Sequence, residues 1–141
     1  MEQYIKISVI YIDDDESLQF QIEVCSASCK SILEFYDYAD CFQEFAKGLT
    51  NFPKTIKDNV VFQVGEDGEE SNWAYFLKLK VYCYEANGHS AINVIMDNRG
   101  DEQTRHRSEY SLTTLPANLN TFGQRLLKWN PKTDKIFEWN A

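Results

Sequence analysis

Histidine is nearly absent from this chain: His89 and His106 are its only two among 141 residues. With so few, a catalytic centre needing several imidazoles is excluded, and so is a histidine-rich metal cluster. The four cysteines, Cys25, Cys29, Cys41 and Cys83, include no C-x-x-C pair, which removes a redox or zinc-knuckle reading. They read as free thiols that pack as small apolar side chains. No apolar run approaches the roughly 20 residues of a membrane-spanning helix. Met1–Lys6 lacks the basic stretch and apolar core of a secretory signal, so a cytoplasmic protein with no membrane partner is expected. Sequences of the GxGxxG, P-loop, GxSxG and HExxH types are missing as well, and no cofactor is expected.

What is present is the material of a packed interior: 43% hydrophobic and 14% aromatic residues. At this length one core is expected, a single domain over 1–141. Ile5, Ile7, Val9 and Tyr11 alternate along a first strand; Leu18, Phe20, Ile22 and Val24 along a second. Ser31, Leu33 and Phe35 share one face of a third, with Ile32, Glu34 and Tyr36 on the other. The period then changes, and Phe42, Phe45, Ala46 and Leu49 fall on one helical face. Asp40 and Gln43 have the form of a capping box at its start, and Pro53 forbids its continuation.

Val60–Val64 opens a second run of strands, followed by a long one from Trp73 to about Glu85. Asn87-Gly88 marks a tight hairpin into Ala91–Asp97, and Arg105–Thr113 alternates again. Pro116 suits the first turn of a second helix, whose face is Leu119, Phe122, Leu126 and Trp129. Ile136, Phe137 and Trp139 make the tail too apolar to hang free. The expected fold is α+β: one antiparallel sheet of about seven meandering strands (βββα-ββββα) with both helices on one face. Two βββα-like halves, about 1–53 and 58–130, precede a tail that packs back.

Charge is polarised. Residues 1–70 hold 5 Lys/Arg against 15 Asp/Glu, and residues 71–141 hold 9 against 7, within a net −8. An acidic half opposes approach to phosphate, so no nucleic-acid partner is expected. The same field would speed encounter with a basic protein. The candidate partner-binding residues are therefore the acidic loops: Asp13, Asp14, Asp15 and Glu16, then Glu66, Asp67, Glu69 and Glu70. Asp13-Asp14-Asp15 lacks the spacing, sixth-position Gly and twelfth-position Glu of a calcium loop, so no metal is assigned. Tyr82, Tyr84 and His89 mark a candidate ligand face on the half-polar side of the sheet, although for the aromatic set Trp73, Tyr75, Phe76, Tyr82 and Tyr84 core packing is the first explanation. A hidden enzyme would need His89 or His106 within hydrogen-bond reach of a carboxylate, thiol or hydroxyl. No catalytic residue is assigned.

The stretches LEFYDYADCFQEFAKGLTNFP, NVVFQVG, WAYFLKLKVYCYEANGHSAINV and LPANLNTFGQRLLKW resemble a family of small bacterial α+β proteins without an assigned activity. The marks are Asn51-Phe52-Pro53, Tyr82-Cys83-Tyr84 and Gly88-His89-Ser90-Ala91. More distantly, size, acidity and layout are similar to acidic immunity proteins of bacterial toxin systems. That resemblance implies a non-enzymatic protein-binding module, an immunity-type inhibitor of a basic, toxin-like protein, acting as monomer or homodimer. The alternative is a small-ligand-binding domain using the half-polar sheet face.

Overall fold

The computed structural model describes residues 2–141. Three strands, β1 (Tyr4–Ile12), β2 (Leu18–Cys25) and β3 (Lys30–Asp37), lead into helix α1 (Gln43–Thr50). Four more follow, β4 (Asn59–Val64), β5 (Phe76–Cys83), β6 (Ser90–Asp97) and β7 (Arg107–Thr114), before helix α2 (Pro116–Lys128) and a last strand, β8 (Ile136–Asn140). The alternation in β2 is strict, with Leu18, Phe20, Ile22 and Val24 buried between half-exposed Gln19, Gln21 and Glu23. In β1 the register slips between Val9 and Tyr11, a bulge that turns both Ile10 and Tyr11 outward.

The class is α+β with antiparallel pairing, but the single seven-stranded sheet is corrected. There are two sheets of four, ordered β3-β2-β1-β8 and β4-β5-β6-β7. The tail does pack back: it forms β8, with Phe137 opposite Ile7 and Trp139 opposite Ile5. A single broad sheet with both helices on one face would leave its whole second face in water. Splitting the strands lets the apolar face of each sheet bury against the helices and the other sheet. The chain makes that break after β3, where α1 and the segment through Pro53 carry it away, so β3 and β4 are not neighbours. The capping-box reading is also corrected. Helix α1 starts at Gln43 behind Phe42, with no side-chain cap, because Asp40 is used in a preceding turn in which its carbonyl accepts from Gln43 N–H.

Aromatic rings join the layers. Phe42, just before α1, stacks on Phe62 of β4 at 4.8 Å, Phe20 on Phe35 of the first sheet at 5.3 Å, and Phe122 of α2 on Trp139 of β8 at 4.4 Å. Trp129, just past α2, closes the set against Phe20 and Phe42. The two helices are in close contact, and the Asn120 amide of α2 donates to the carbonyls of Leu49 and Phe52 at 2.9 Å each. The Leu49 carbonyl also accepts from the Phe52 N–H at 3.3 Å, so the Asn120 amide adds a tie between α2 and the segment that leaves α1.

Gly123 sets the helix separation. A Cβ there would lie 2.7 Å from the Ala46 carbonyl oxygen, 2.8 Å from Leu49 Cβ and 2.9 Å from Thr50 N. Two of these are backbone atoms that cannot swing aside. Alanine is the better helix former by about 1 kcal/mol, yet Gly123→Ala is expected to destabilise by about 1–3 kcal/mol through overpacking. A lower midpoint in urea unfolding followed by far-UV dichroism is the expected result; an unchanged or higher one would mean the helices part freely.

Candidate functional site

Strand β3 is an edge of the first sheet and runs across one end of the second. Its successive contacts establish this: Tyr36 meets Tyr75, just before β5, and Ser31 meets both Met96 of β6 and Tyr110 of β7. The Tyr110 hydroxyl donates to the Val24 carbonyl at 2.8 Å and is hydrogen-bonded to Ser31 Oγ. Burial pushes the Tyr110 pKa up, so it stays protonated and keeps donating.

Two clefts flank this crossing. One, of about 310 Å3, is lined by Ile32, Leu33, Glu34, Tyr75 and Asn98. The other, of about 340 Å3, is lined by Cys29, Lys30, Ser108, Glu109 and Tyr110. Large apolar side chains are exposed at or close in sequence to the first: Ile32 (45%), which lines it, Tyr36 (51%), bonded to Tyr75, Tyr38 (55%), just past β3, and Trp73 (48%), two residues before Tyr75. Leu33 and Phe35, on the inner face of the same strand, are almost fully buried.

The loop after β6 folds over this end of the second sheet and seals Asp97, which is wholly buried. Arg105 donates to its carboxylate at 2.7 and 3.3 Å, Arg107 at 3.2 Å, and the Arg99 N–H at 2.8 Å. Desolvation alone would push this carboxyl up; the donors outweigh it and hold the pKa down to about 2. Arg107 also grips Asp67 through two bonds of 2.9 and 3.0 Å, and Arg99 donates to the Gly68 and Ser71 carbonyls. The Arg107 bonds hold Asp67 below the usual carboxylate range.

The residues singled out from sequence are distributed as follows. Asp13–Glu16 closes the β1–β2 hairpin; Ser17 Oγ donates to Asp15 at 2.7 Å, and Glu16 reaches Lys132 at 3.8 Å. Glu66, Asp67, Glu69 and Glu70 close β4–β5 in the other sheet, and no bond or ion pair among the described residues joins the two loops. Asp67 is spent on Arg107. Tyr82 sits on the outer face of the second sheet, between Asn59 and Ala91. Tyr84 and His89 lie beyond the strand ends with rings 6.3 Å apart, over a cleft of about 200 Å3 shared with Thr113, Thr114 and Leu115. Trp73, aligned with core positions in the sequence, is instead on the surface, because β5 begins only at Phe76.

Both histidines have partners. His89 Nδ1 lies 2.9 Å from Glu85 and His106 Nε2 lies 2.6 Å from Ser108 Oγ. The condition for a hidden enzyme is thus met pair by pair, yet the pairs stand at opposite ends of β6, about 24 Å apart at 3.4 Å per residue. Among the described residues no third group orients His106, and the His89 ring meets only Glu85 and the Asn87 amide, both at Nδ1, with no hydroxyl or thiol bonded to it, so neither becomes a triad. No group of three or more His, Cys, Asp or Glu among the described residues is placed to hold a metal ion. What sequence reasoning missed is the Asp97 seal and the Tyr75 contact with β3. The Arg105-x-Arg107 pair opposite a strand-ending Asp97 was the available signal for the first; nothing local signalled the second.

No family model matches the chain, and no curated protein matches it in sequence. Among solved structures it is similar to one described as the plant transcriptional regulator PBF-2, at 10% identity and a TM-score of 0.48 over 93% of this chain and 79% of that one. It is also similar to WHY3 from Arabidopsis thaliana, at 8% identity and a TM-score of 0.46 over 88% and 79%. The partner expectation is corrected: neither the exclusion of nucleic acid nor the basic, toxin-like partner inferred alongside it is kept, because both rest on summed charge alone. The physical reason is that net charge sums the whole surface, whereas a ligand meets one face. No helix of the described residues is long and apolar enough to cross a membrane.

Asp97 gives a pH prediction. Its folded pKa is depressed from 3.8 to about 2, so its contribution is present above the unfolded value and lost as pH falls through about 2. That contribution is on the order of 2 kcal/mol. Asp97→Asn is expected to lower stability at neutral pH and to flatten the stability curve between pH 4 and 2. Urea unfolding across that range checks it, and a variant whose acid limb matches wild type would show the carboxylate is not the titrating group.

Proposed function

We propose that this chain is an intracellular, non-catalytic protein-binding module whose contact surface is the β3 side of the sheet junction. The observation that carries this reading is the cluster of exposed Ile32, Tyr36, Tyr38 and Trp73 beside the cleft of about 310 Å3. Ile32 and Tyr36, held on a rigid strand beside a concavity, lose little entropy on binding, and Tyr38 and Trp73 in the adjoining segments add apolar area. All four cysteines are free thiols, which suits a reducing compartment. The acidic loops have a different part in this reading: Asp67 is already neutralised by Arg107, so they serve solubility and orientation more than adhesion.

A second reading has its own observation. On the outer face of the second sheet Lys78 and Lys80 form no ion pair among the described residues, and the Lys80 ammonium lies 5.9 Å from the Tyr82 ring. Their cross-strand neighbours are Gln63, Val61, Asn93 and Ile95, none of them acidic. A polar, cationic strip with an aromatic ring suits a single-stranded polyanion.

The first reading is tested by affinity capture from host-cell lysate on immobilised protein. Species retained by the wild type should fall about tenfold with Ile32→Glu or Trp73→Glu, the effect of one lost interface anchor. They should persist when Glu66, Glu69 and Glu70 are changed to Lys. Loss with the lysine variant and retention with the other two would reverse the assignment. The second reading is tested by fluorescence anisotropy with a labelled oligothymidylate. Binding should weaken steeply with added salt and vanish in Lys78→Glu/Lys80→Glu; no binding at low salt ends that reading.

A further inference from the structure

Three of the four sheet edges, those of β7, β8 and β3, carry a side chain that engages their backbone as a neighbouring strand would. On β7, the Gln3 amide accepts from Thr113 N–H at 3.0 Å and returns a bond to the Thr113 carbonyl at 3.5 Å. On β8, Arg125 donates to the Glu138 carbonyl at 2.7 Å. On β3, the Tyr75 hydroxyl accepts from Tyr36 N–H at 3.0 Å and lies 3.5 Å from the Tyr36 carbonyl. An exposed edge is otherwise a template for strand pairing, and such devices blunt it.

On β3 the guard covers one residue only. The Tyr36 N–H points away from β2, so by the two-residue alternation of an antiparallel strand those of Ile32 and Glu34 do too. Among the described residues their outward N–H and carbonyl groups have no partner. The cleft lined by Ile32, Leu33, Glu34, Tyr75 and Asn98 opens along this same edge. We propose that β3 takes an extended segment of a partner protein as an added strand, pairing with the backbone of Ile32 and Glu34 and seating side chains in that cleft.

The occupant follows from what the edge offers. Unpaired N–H and carbonyl groups about 6.8 Å apart are satisfied by another extended backbone, not by a helix or an apolar surface. Ile32 calls for a β-branched residue opposite it, and Glu34, half committed to Gln19 at 3.2 Å and without a cation, calls for Lys or Arg. Tyr75 ends the free register at Tyr36, so the segment is short. This proposal rests on the protein-binding reading above and specifies how that same surface is used.

Two peptides test it: acetyl-Val-Thr-Lys-Thr-Val-amide, whose symmetric pattern allows either strand direction, and its Glu-centred counterpart. Amide exchange followed by NMR is the measurement. In the free protein, Ile32 and Glu34 amides should exchange far faster than those of Leu33 and Phe35, which face β2. Adding the Lys peptide should slow the two outward amides about tenfold, and the Glu peptide several-fold less, in line with one net backbone hydrogen bond and one charge pair. Ile32→Pro removes one N–H at an edge where proline is tolerated; it should keep the dichroism spectrum and lose the protection at Glu34. Protection of Ile32 and Glu34 in the free protein, or equal indifference to both peptides, overturns strand addition. If lysate capture nonetheless depends on Ile32 and Trp73, the surface binds protein by another geometry; if it does not, the protein-binding reading has failed on its own account.

Discussion

The hydroxyl of Tyr110 reaches from the edge of the second sheet to the Val24 carbonyl of the first and shares a hydrogen bond with Ser31. Few other polar contacts cross between the sheets; the Tyr75–Tyr36 pair and the Gln3–Thr113 pair are the others that engage backbone. A buried polar group must be satisfied where it stands, whereas apolar faces can slide over one another at small cost. The part-buried Tyr110 bonds to Val24 and Ser31 therefore fix how β3 lies across the second sheet, with the exposed Tyr75–Tyr36 bond at its other end, and this defines both clefts. The aromatic core supplies the larger share of cohesion, and the hydroxyl contacts supply the register.

That register explains why the open part of β3 faces outward at all. Once Ser31 is held against Tyr110 and Tyr36 against Tyr75, the intervening strand bridges a gap with its inner face buried and its outer edge without a neighbour. The Asp97 cluster has a complementary role at the same end. By drawing Arg99, Arg105, Arg107 and Asp67 together, it keeps the two loops folded down over the second sheet. Loops released there would be free to cover the cleft that Asn98 helps to line.

Much of the local structure was legible because it is written in short periods. The strict alternation of β2, the opposed faces of β3 and the helical spacing of Leu119, Phe122 and Leu126 all survive intact. Ile32, Glu34 and Tyr36 could be assigned to the outer face from alternation alone. The split into two sheets could not, because it depends on where α1 sends the chain and on β8 pairing with β1 across more than a hundred residues. Trp73 misled for a related reason: it continues the alternation of β5, yet pairing stops at Phe76, where Tyr75 turns aside to meet β3. The acidic loops were legible as charge but not as partners in an intramolecular cluster, since Arg107 lies forty residues from Asp67.

The same distinction between sum and arrangement decides what the net charge means. An excess of acid in residues 1–70 is a property of composition, and composition does not say which carboxylates remain free. Asp67 is cancelled by Arg107 and Asp97 by two guanidiniums, while Lys78 and Lys80 on a neighbouring face are not cancelled. Within a Debye length of about 8 Å a ligand senses only the groups it approaches. A molecule approaching β3 therefore meets Ile32, Glu34 and Tyr36, and one approaching β5 meets two ammonium groups and a phenol. What a ligand would meet is set face by face, and the overall acidity tunes only long-range approach.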